Sequence, residues 1–96
     1  MKTLTIPRKV KVGKRWYSVE ILEAMCNKQQ AGRVFFDTQT IQVGRHTKQS
    51  EMDETFWHEL VHAILHDMEE HKLNDRETFV EDFAHRLAKA IKSARF

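Results

Sequence analysis

One stretch of this sequence constrains the chain more than any other: His58 and His62 lie four residues apart, and Glu59 directly follows the first histidine. On an α-helix, residues four apart project from one face, about 40° apart around the axis and about 6 Å apart along it. The two imidazoles can therefore lean toward a common point and bind one cation. Zinc (Zn²⁺) accepts imidazole nitrogen at about 2.0–2.1 Å. We therefore predict a zinc site at His58 and His62.

Glu59 has a different expected role, because it lies about 100° around the helix from His58. Its carboxylate is poorly placed there to complete the ligand set, but it can reach a water molecule that the ion holds. Zinc lowers the pKa of such a water to about 7, so Glu59 is predicted to be the general base of a hydrolytic reaction. The flanking residues are apolar, and burying uncompensated polar groups among them is costly, which favours a metal site over chance.

A catalytic zinc ion needs a third protein ligand, and the predicted C-terminal helix offers Glu77 and Glu81. Glu81 is preferred, because it lies nearer the middle of the apolar residues of this predicted helix. A carboxylate that is buried among apolar residues needs a reason to be there. Glu77 stays open as the alternative, although capping and the helix dipole already explain its position in the first turn. His66 repeats the four-residue spacing, but it lies about 12 Å along the axis from His58. We therefore expect His66 to lie outside the ligand set.

Two supporting roles remain open in the sequence. Hydrogen-bond partners for the ligand histidines are sought among four residues: Asp67, Asp82, His71 and His85. The group that would stabilise a developing oxyanion is sought among three residues: His85, His46 and Tyr17.

Alternating apolar and polar residues predict strands in the N-terminal half of the chain. We expect an extended segment over residues 4–12, interrupted near Pro7, followed by a turn at Gly13 and Lys14. Residues 16–22 are a second extended segment or the start of a short helix, and residues 20–30 are ambiguous. Residues 33–36 and 40–43 flank a polar turn, which predicts a β-hairpin.

Two helices are predicted in the C-terminal half. The motif helix is expected from about residue 51 to residue 67 or 68, with Ser50 as its N-cap. A charged connection follows over residues 69–73, and a capping signature at residues 74–77 introduces a final helix over residues 75–93. The predicted fold class is therefore α+β: a small, mostly antiparallel sheet packs on the motif helix, and the C-terminal helix completes the zinc site.

Length and composition limit the class of protein. Ninety-six residues, 41% hydrophobic and 31% charged, predict a single folded domain over residues 1–96. No apolar run approaches the about 20 residues that span a bilayer. The N-terminus has no signal-peptide pattern, so we expect a cytoplasmic protein without a membrane partner. The single cysteine, Cys26, cannot form an intramolecular disulfide and is interpreted as a small buried hydrophobe.

Basic residues cluster near the N-terminus, although the net charge is only +2. The first fifteen residues contain no acid and six basic residues: Lys2, Arg8, Lys9, Lys11, Lys14 and Arg15. Such a segment could meet nucleic acid or an acidic partner. An edge strand kept soluble by its lysines is the favoured interpretation, since no aromatic series or nucleic-acid motif accompanies the charges.

These features resemble a family of small HExxH zinc peptidase-like domains found in phages and prophages, related to the ImmA/IrrE and SprT-like zinc peptidases. The resemblance rests on the predicted hairpin, on the motif helix over residues 55–66 and on residues 79–84 of the later helix. It implies zinc on His58 and His62, a glutamate of the later helix as third ligand, and Glu59 as catalytic acid and base. We therefore expect hydrolysis of a protein or peptide substrate. A zinc-stabilised interaction module without turnover, possibly associated with nucleic acid, is the alternative.

Overall fold

A computed structural model of the chain describes residues 6–23 and 31–96. Its elements follow in the order β1 (Lys9–Val12), β2 (Arg15–Leu22), β3 (Gly32–Phe35), β4 (Thr40–Gly44), α1 (Gln49–Asp67), α2 (His71–Asn74) and α3 (Glu77–Ser93). The start of the predicted first strand, the ambiguous segment at residues 24–30 and Cys26 lie outside the described residues. The described chain is α+β, as the sequence predicts.

The four strands form one sheet in the order β1-β2-β4-β3. The pairs β1–β2 and β3–β4 are antiparallel, which confirms the predicted hairpin, and β2 runs parallel to β4. Residues 16–22 are strand rather than the start of a helix. Gly13 makes the turn between β1 and β2 with a φ of 62°, a conformation that glycine adopts without steric cost. Strands β1 and β3 are therefore the two edges of the described sheet.

Helix α1 packs across one face of this sheet. The core between them consists of eight buried residues: Val12, Tyr17, Ile41, Val43, Met52, Phe56, Leu60 and Ala63. Alternate residues of β4 face α1, as expected for a sheet that is covered on one side only. No described helix packs on the other face of the sheet.

A second core joins α1 to α3. It contains Val61 and Leu65 from α1, and Val80 and Ala84 from α3. Small side chains allow two helices to approach closely, and Ala84 is one of three buried residues of α3. Helix α1 is therefore buried on two sides. His58 and His62 lie on α1 between these two buried sides.

The starts of two helices and one connection differ from the prediction. Helix α1 begins at Gln49 with Lys48 as its N-cap, so Ser50 lies inside the first turn. The expected charged connection contains the short helix α2. Helix α3 begins two residues later than expected, and its N-cap, Arg76, makes no side-chain cap. The capping signature at residues 74–77 does not operate, because the Asn74 side chain bonds to His62 instead.

The described helices are amphipathic or short. Among them, none is both long and apolar enough to cross a membrane.

Candidate metal centre

His58 and His62 project from α1 toward the first turn of α3, where both meet Glu77. His58 Nε2 lies 3.1 Å from Glu77 Oε1, and His62 Nε2 lies 3.2 Å from Glu77 Oε2. Ligand atoms of these three side chains all lie within 4.8 Å of one another. Ligands of one tetrahedral zinc ion, each about 2.0–2.1 Å from the metal, lie about 3.3 Å from each other. The three side chains could therefore hold a metal ion.

Asn74 determines which nitrogen of His62 carries a hydrogen. Its Nδ2 donates to the backbone carbonyl oxygen of His62 at 3.2 Å, which turns its Oδ1 toward His62 Nδ1 at 2.5 Å. An amide oxygen only accepts hydrogen bonds, so Nδ1 must be the donor. In a neutral ring, Nε2 then presents a lone pair to a carboxylate oxygen of Glu77. Two facing acceptors need a hydrogen or a metal ion between them.

Asn74 is a site residue that the sequence interpretation missed. Histidines that bind metals usually donate their other ring N–H to a fixed acceptor, and Asn74 provides that acceptor for His62. The four expected partners make no hydrogen bond to His58 or His62 within the described ranges. The signal for Asn74 was present as an asparagine three residues before Glu77, but it was interpreted as a helix cap.

Glu59 lies beside the histidines on the same helix and is only 8% exposed. Its carboxylate faces the groove that the histidines line, and it forms no hydrogen bond or ion pair with another described residue. Burial raises the pKa of this carboxyl to about 7, and the negative charge of Glu77 adds to the rise. A base with a pKa near neutrality is suited to proton transfer at physiological pH.

The structure places Glu77, rather than Glu81, against the histidines. Glu81 lines the same groove one turn further along α3. The preference for Glu81 assumed that its position within the apolar block would bury it, but Glu81 is exposed and the buried residues of α3 are Val80, Ala84 and Ala88. Glu77, the alternative that the sequence left open, therefore lies in the group of three, and Glu81 lies outside it.

His66 lies outside this group. Its ring stacks on Phe36 with the centroids 3.9 Å apart, and it meets the ring of His71 edge-on at 5.7 Å. Together with Tyr17 and Asp67, the two histidines line a second, smaller pocket beside the sheet. Burial raises the pKa of the Tyr17 phenol, Arg15 opposes the rise, and Asp67 adds to it.

Of the three residues considered for the oxyanion, His85 alone lines the groove. Its Nδ1 lies 3.0 Å from Glu54 Oε2, which joins α3 to α1. Tyr17 is buried in the first core. His46 lies in the loop before α1, where its Nδ1 accepts a hydrogen bond from the amide of Lys48 at 3.0 Å.

The groove itself has a volume of about 770 Å³ and runs between edge strand β3 on one side and α2 and α3 on the other. Gly32 allows β3 to lie against α1 at this point. A Cβ at Gly32 would come within 2.5 Å of Thr55 Cγ2 and 3.6 Å of Glu59 Cγ. Strand β3, an edge of the described sheet, therefore passes directly beside the catalytic candidates.

Comparison of the chain with family models, with curated proteins and with solved structures found no match. The fold and the geometry of the groove are therefore the basis for the function proposed below.

Proposed function

We propose that this protein is a zinc-dependent metallopeptidase in which His58, His62 and Glu77 hold the ion and Glu59 is the catalytic acid and base. The observation that carries the proposal is the surroundings of His62, where Asn74 and Glu77 place acceptors at both ring nitrogens. A zinc ion between His62 and Glu77 removes the conflict between facing acceptors. The same ion would also bind His58 Nε2.

Bound zinc supplies Lewis acidity, which polarises a carbonyl oxygen and lowers the pKa of water. Glu59, whose carboxylate faces only the groove, would take a proton from water and return it to the leaving amine. Strand β3, at the edge of the described sheet, would hold an extended substrate through backbone hydrogen bonds. We assign the activity to the cytoplasm, in keeping with a sequence that has no pair of cysteines to form a disulfide.

Metal content tests the ligand set. The purified protein should contain one zinc ion per chain, and Glu77→Gln should lose it on dialysis. Glu81→Gln is the matched control, because it removes the same charge from the same helix and should retain full zinc. Full retention of zinc by Glu77→Gln would reject Glu77 as a ligand.

Hydrolysis of an unfolded protein such as casein tests the reaction. Glu59→Gln should abolish cleavage while zinc content and the circular dichroism spectrum stay unchanged, because a side-chain amide cannot take a proton from water. Zinc-loaded wild-type protein that cleaves nothing would support the alternative, a zinc-stabilised interaction module.

A second candidate function lies on the open face of the sheet. Trp16 is 54% exposed there, and the ammonium groups of Lys9 and Lys11 lie 5.0 and 5.8 Å from its ring centroid. Phe35, which is 38% exposed, has the guanidinium of Arg33 at 5.4 Å. The strand register puts the Cα atoms of Trp16 and Phe35 about 12 Å apart, with both residues on one face. We propose that this face binds single-stranded nucleic acid, which stacks its bases on exposed rings between cations.

Fluorescence anisotropy with a labelled oligo-dT tests this second function. Binding should weaken steeply as salt rises, and Trp16→Ala or the pair Lys9→Gln and Lys11→Gln should weaken it at low salt. Glu77→Gln should leave it unchanged. Absence of binding at about 20 mM salt would reject the nucleic-acid function, and binding of an acidic peptide in its place would identify a protein partner.

A further inference from the structure

Negative charge is concentrated in the groove. Six carboxylates are among the residues that line it: Glu51, Glu54, Glu59, Asp75, Glu77 and Glu81. The chain as a whole carries a net charge of +2, so this acidity is a local property of the groove and not of the composition.

Among the described residues, little positive charge opposes these acids. Arg33 is the one lysine or arginine among the described residues that line the groove. Its side chain is held away from the groove, since its Nε donates to Gln42 Oε1 at 3.0 Å and its guanidinium lies over the Phe35 ring. Glu54 is paired with His85, but Glu51 and Glu81 form no ion pair with a described residue. A zinc ion would offset two negative charges, and the remaining carboxylates would leave the groove acidic.

The acids are distributed unequally along the groove. Helices α1 and α3 run in opposite directions past each other, because Glu77 meets His58 and His62 while His85, two turns later, meets Glu54. Glu81, between Glu77 and His85, therefore lies across from the turn of α1 that joins Glu54 to His58. Glu54 and Glu51 precede His58 by about 6 and 10 Å along α1. Three acids thus lie on one side of the candidate metal centre.

Glu59 gives independent evidence that this acidic groove takes a ligand. The residue is only 8% exposed, its side chain forms no hydrogen bond or ion pair with another residue among residues 6–23 and 31–96, and it lines the groove. No buried side-chain oxygen of the described residues lacks a partner, so the carboxylate oxygens of Glu59 are accessible rather than sealed in the core. A group that enters the groove can therefore reach this carboxylate.

We propose that the groove selects protein substrates with lysine or arginine within about three residues of the cleaved bond, on one side of it, where Glu51, Glu54 and Glu81 lie. This inference rests on the proposed peptidase function. An extended chain advances about 3.3 Å per residue, so two or three residues cover the distance from the metal centre to these acids. Low-dielectric walls and charges of one sign raise the local concentration of a cationic segment.

Cleavage of a mixed peptide library by the zinc-loaded protein tests the selection. Mass spectrometry of the products should show lysine and arginine enriched on one side of the cleaved bonds. The double variant Glu51→Gln and Glu81→Gln should lose about tenfold in kcat/KM for a basic peptide, as removal of two partly exposed charge contacts predicts, while cleavage of a neutral peptide stays unchanged. Cleavage without this enrichment would overturn the inference and leave the peptidase function intact.

A matched control removes two acids outside the groove, through Glu70→Gln and Asp82→Asn. This control has the same net charge as the groove variant and should keep the preference for basic peptides. Equal losses in both variants would show that total charge, and not the groove, determines the preference.

Binding provides a readout that does not depend on turnover. Zinc-loaded Glu59→Gln should bind a fluorescent lysine-rich peptide at least tenfold more tightly than a glutamate-rich peptide of equal length, and added salt should remove the difference. If the library remains uncut but this preference is present, the peptidase function fails and the charge selection stands. Equal binding of the two peptides would reject the selection.

Discussion

Asn74 shows how one uncharged side chain can determine the chemistry of a charged site. Its Nδ2 donates to the backbone carbonyl oxygen of His62, which holds the amide in place, and rotation of the ring would break the hydrogen bond between Nδ1 and Asn74 Oδ1. It also holds the hydrogen on Nδ1 and leaves Nε2 to face Glu77. The metal site therefore depends on a residue that would not itself bind metal.

We expect Asn74→Ala to lower zinc affinity by about 10- to 100-fold, the usual effect of removing a partner of a ligand histidine. Asn74→Asp should retain most of the affinity, because the aspartate still accepts from Nδ1. Competition with a chromogenic chelator measures both constants. His71→Ala, which alters a nearby residue outside the ligand group, should have wild-type affinity, and an equally tight Asn74→Ala would show that Asn74 is not needed.

The raised pKa of Glu59 predicts a pH dependence of stability in the metal-free protein. Folding holds this pKa at about 7, above its ordinary value of 4.5. The contribution of the protonated carboxyl to stability is therefore complete below about pH 4.5 and is lost as the pH rises through about 7. Each pH unit in this window is worth about 1.4 kcal/mol, so the loss is about 3 kcal/mol.

Urea unfolding in the presence of a chelator, at pH 5 and pH 7.5, measures this loss. Glu59→Gln serves as the reference, since glutamine resembles the protonated carboxyl and cannot ionise. The unfolding free energy of the variant minus that of wild type should be larger at pH 7.5 than at pH 5. Parallel pH profiles would mean that Glu59 has an ordinary pKa in the folded protein.

At the scale of elements, local and non-local parts of the site differ in how far sequence could predict them. His58, Glu59 and His62 follow from the period of a single helix, and α1 contains all three. The choice between Glu77 and Glu81 depends on how α3 crosses α1, which is determined by packing around Val80 and Ala84. No local pattern encodes that crossing, so the sequence could not show that Glu77, rather than Glu81, would meet the histidines.

The contact of β3 with α1 is a second feature at the scale of elements, and it depends on the missing side chain of Gly32. A Cβ at Gly32 would come within 2.5 Å of Thr55 Cγ2 and 2.6 Å of the Gln42 carbonyl oxygen. Gly32→Ala should therefore lower the unfolding free energy by about 1–3 kcal/mol, the usual cost of overpacking. Denaturant unfolding measures the loss. Adding Thr55→Ser, which removes the clashing methyl group, should restore part of it, and wild-type stability of Gly32→Ala would show that β3 can move away.

At the scale of the whole molecule, α1 belongs to two cores, one shared with the sheet and one with α3. The ion pair of Lys92 with the buried Asp53, at 3.5 Å, is a further link between α1 and α3. Zinc on His58, His62 and Glu77 would cross-link the same two helices. Metal binding is therefore expected to stabilise the molecule as a unit.

Zinc at about 100 times its dissociation constant should add about 2.7 kcal/mol to stability, since it binds only the folded state. In a chain of 96 residues this corresponds to a rise in Tm of about 10–20 °C. Differential scanning calorimetry with and without chelator measures the shift. Glu77→Gln should show little of this rise in Tm, and Glu81→Gln should show the full rise. Equal rises in the two variants would mean that the ion binds elsewhere.

The separation of the ligands along the chain has a consequence for synthesis. His58 and His62 leave the ribosome before Glu77, and Glu77 opens the seventeen-residue helix α3, whose buried residues must follow before it can pack. A nascent chain that ends before α3 has the proposed general base and two ligands but cannot close the site. Premature hydrolysis during translation would thereby be prevented by the order of the residues alone.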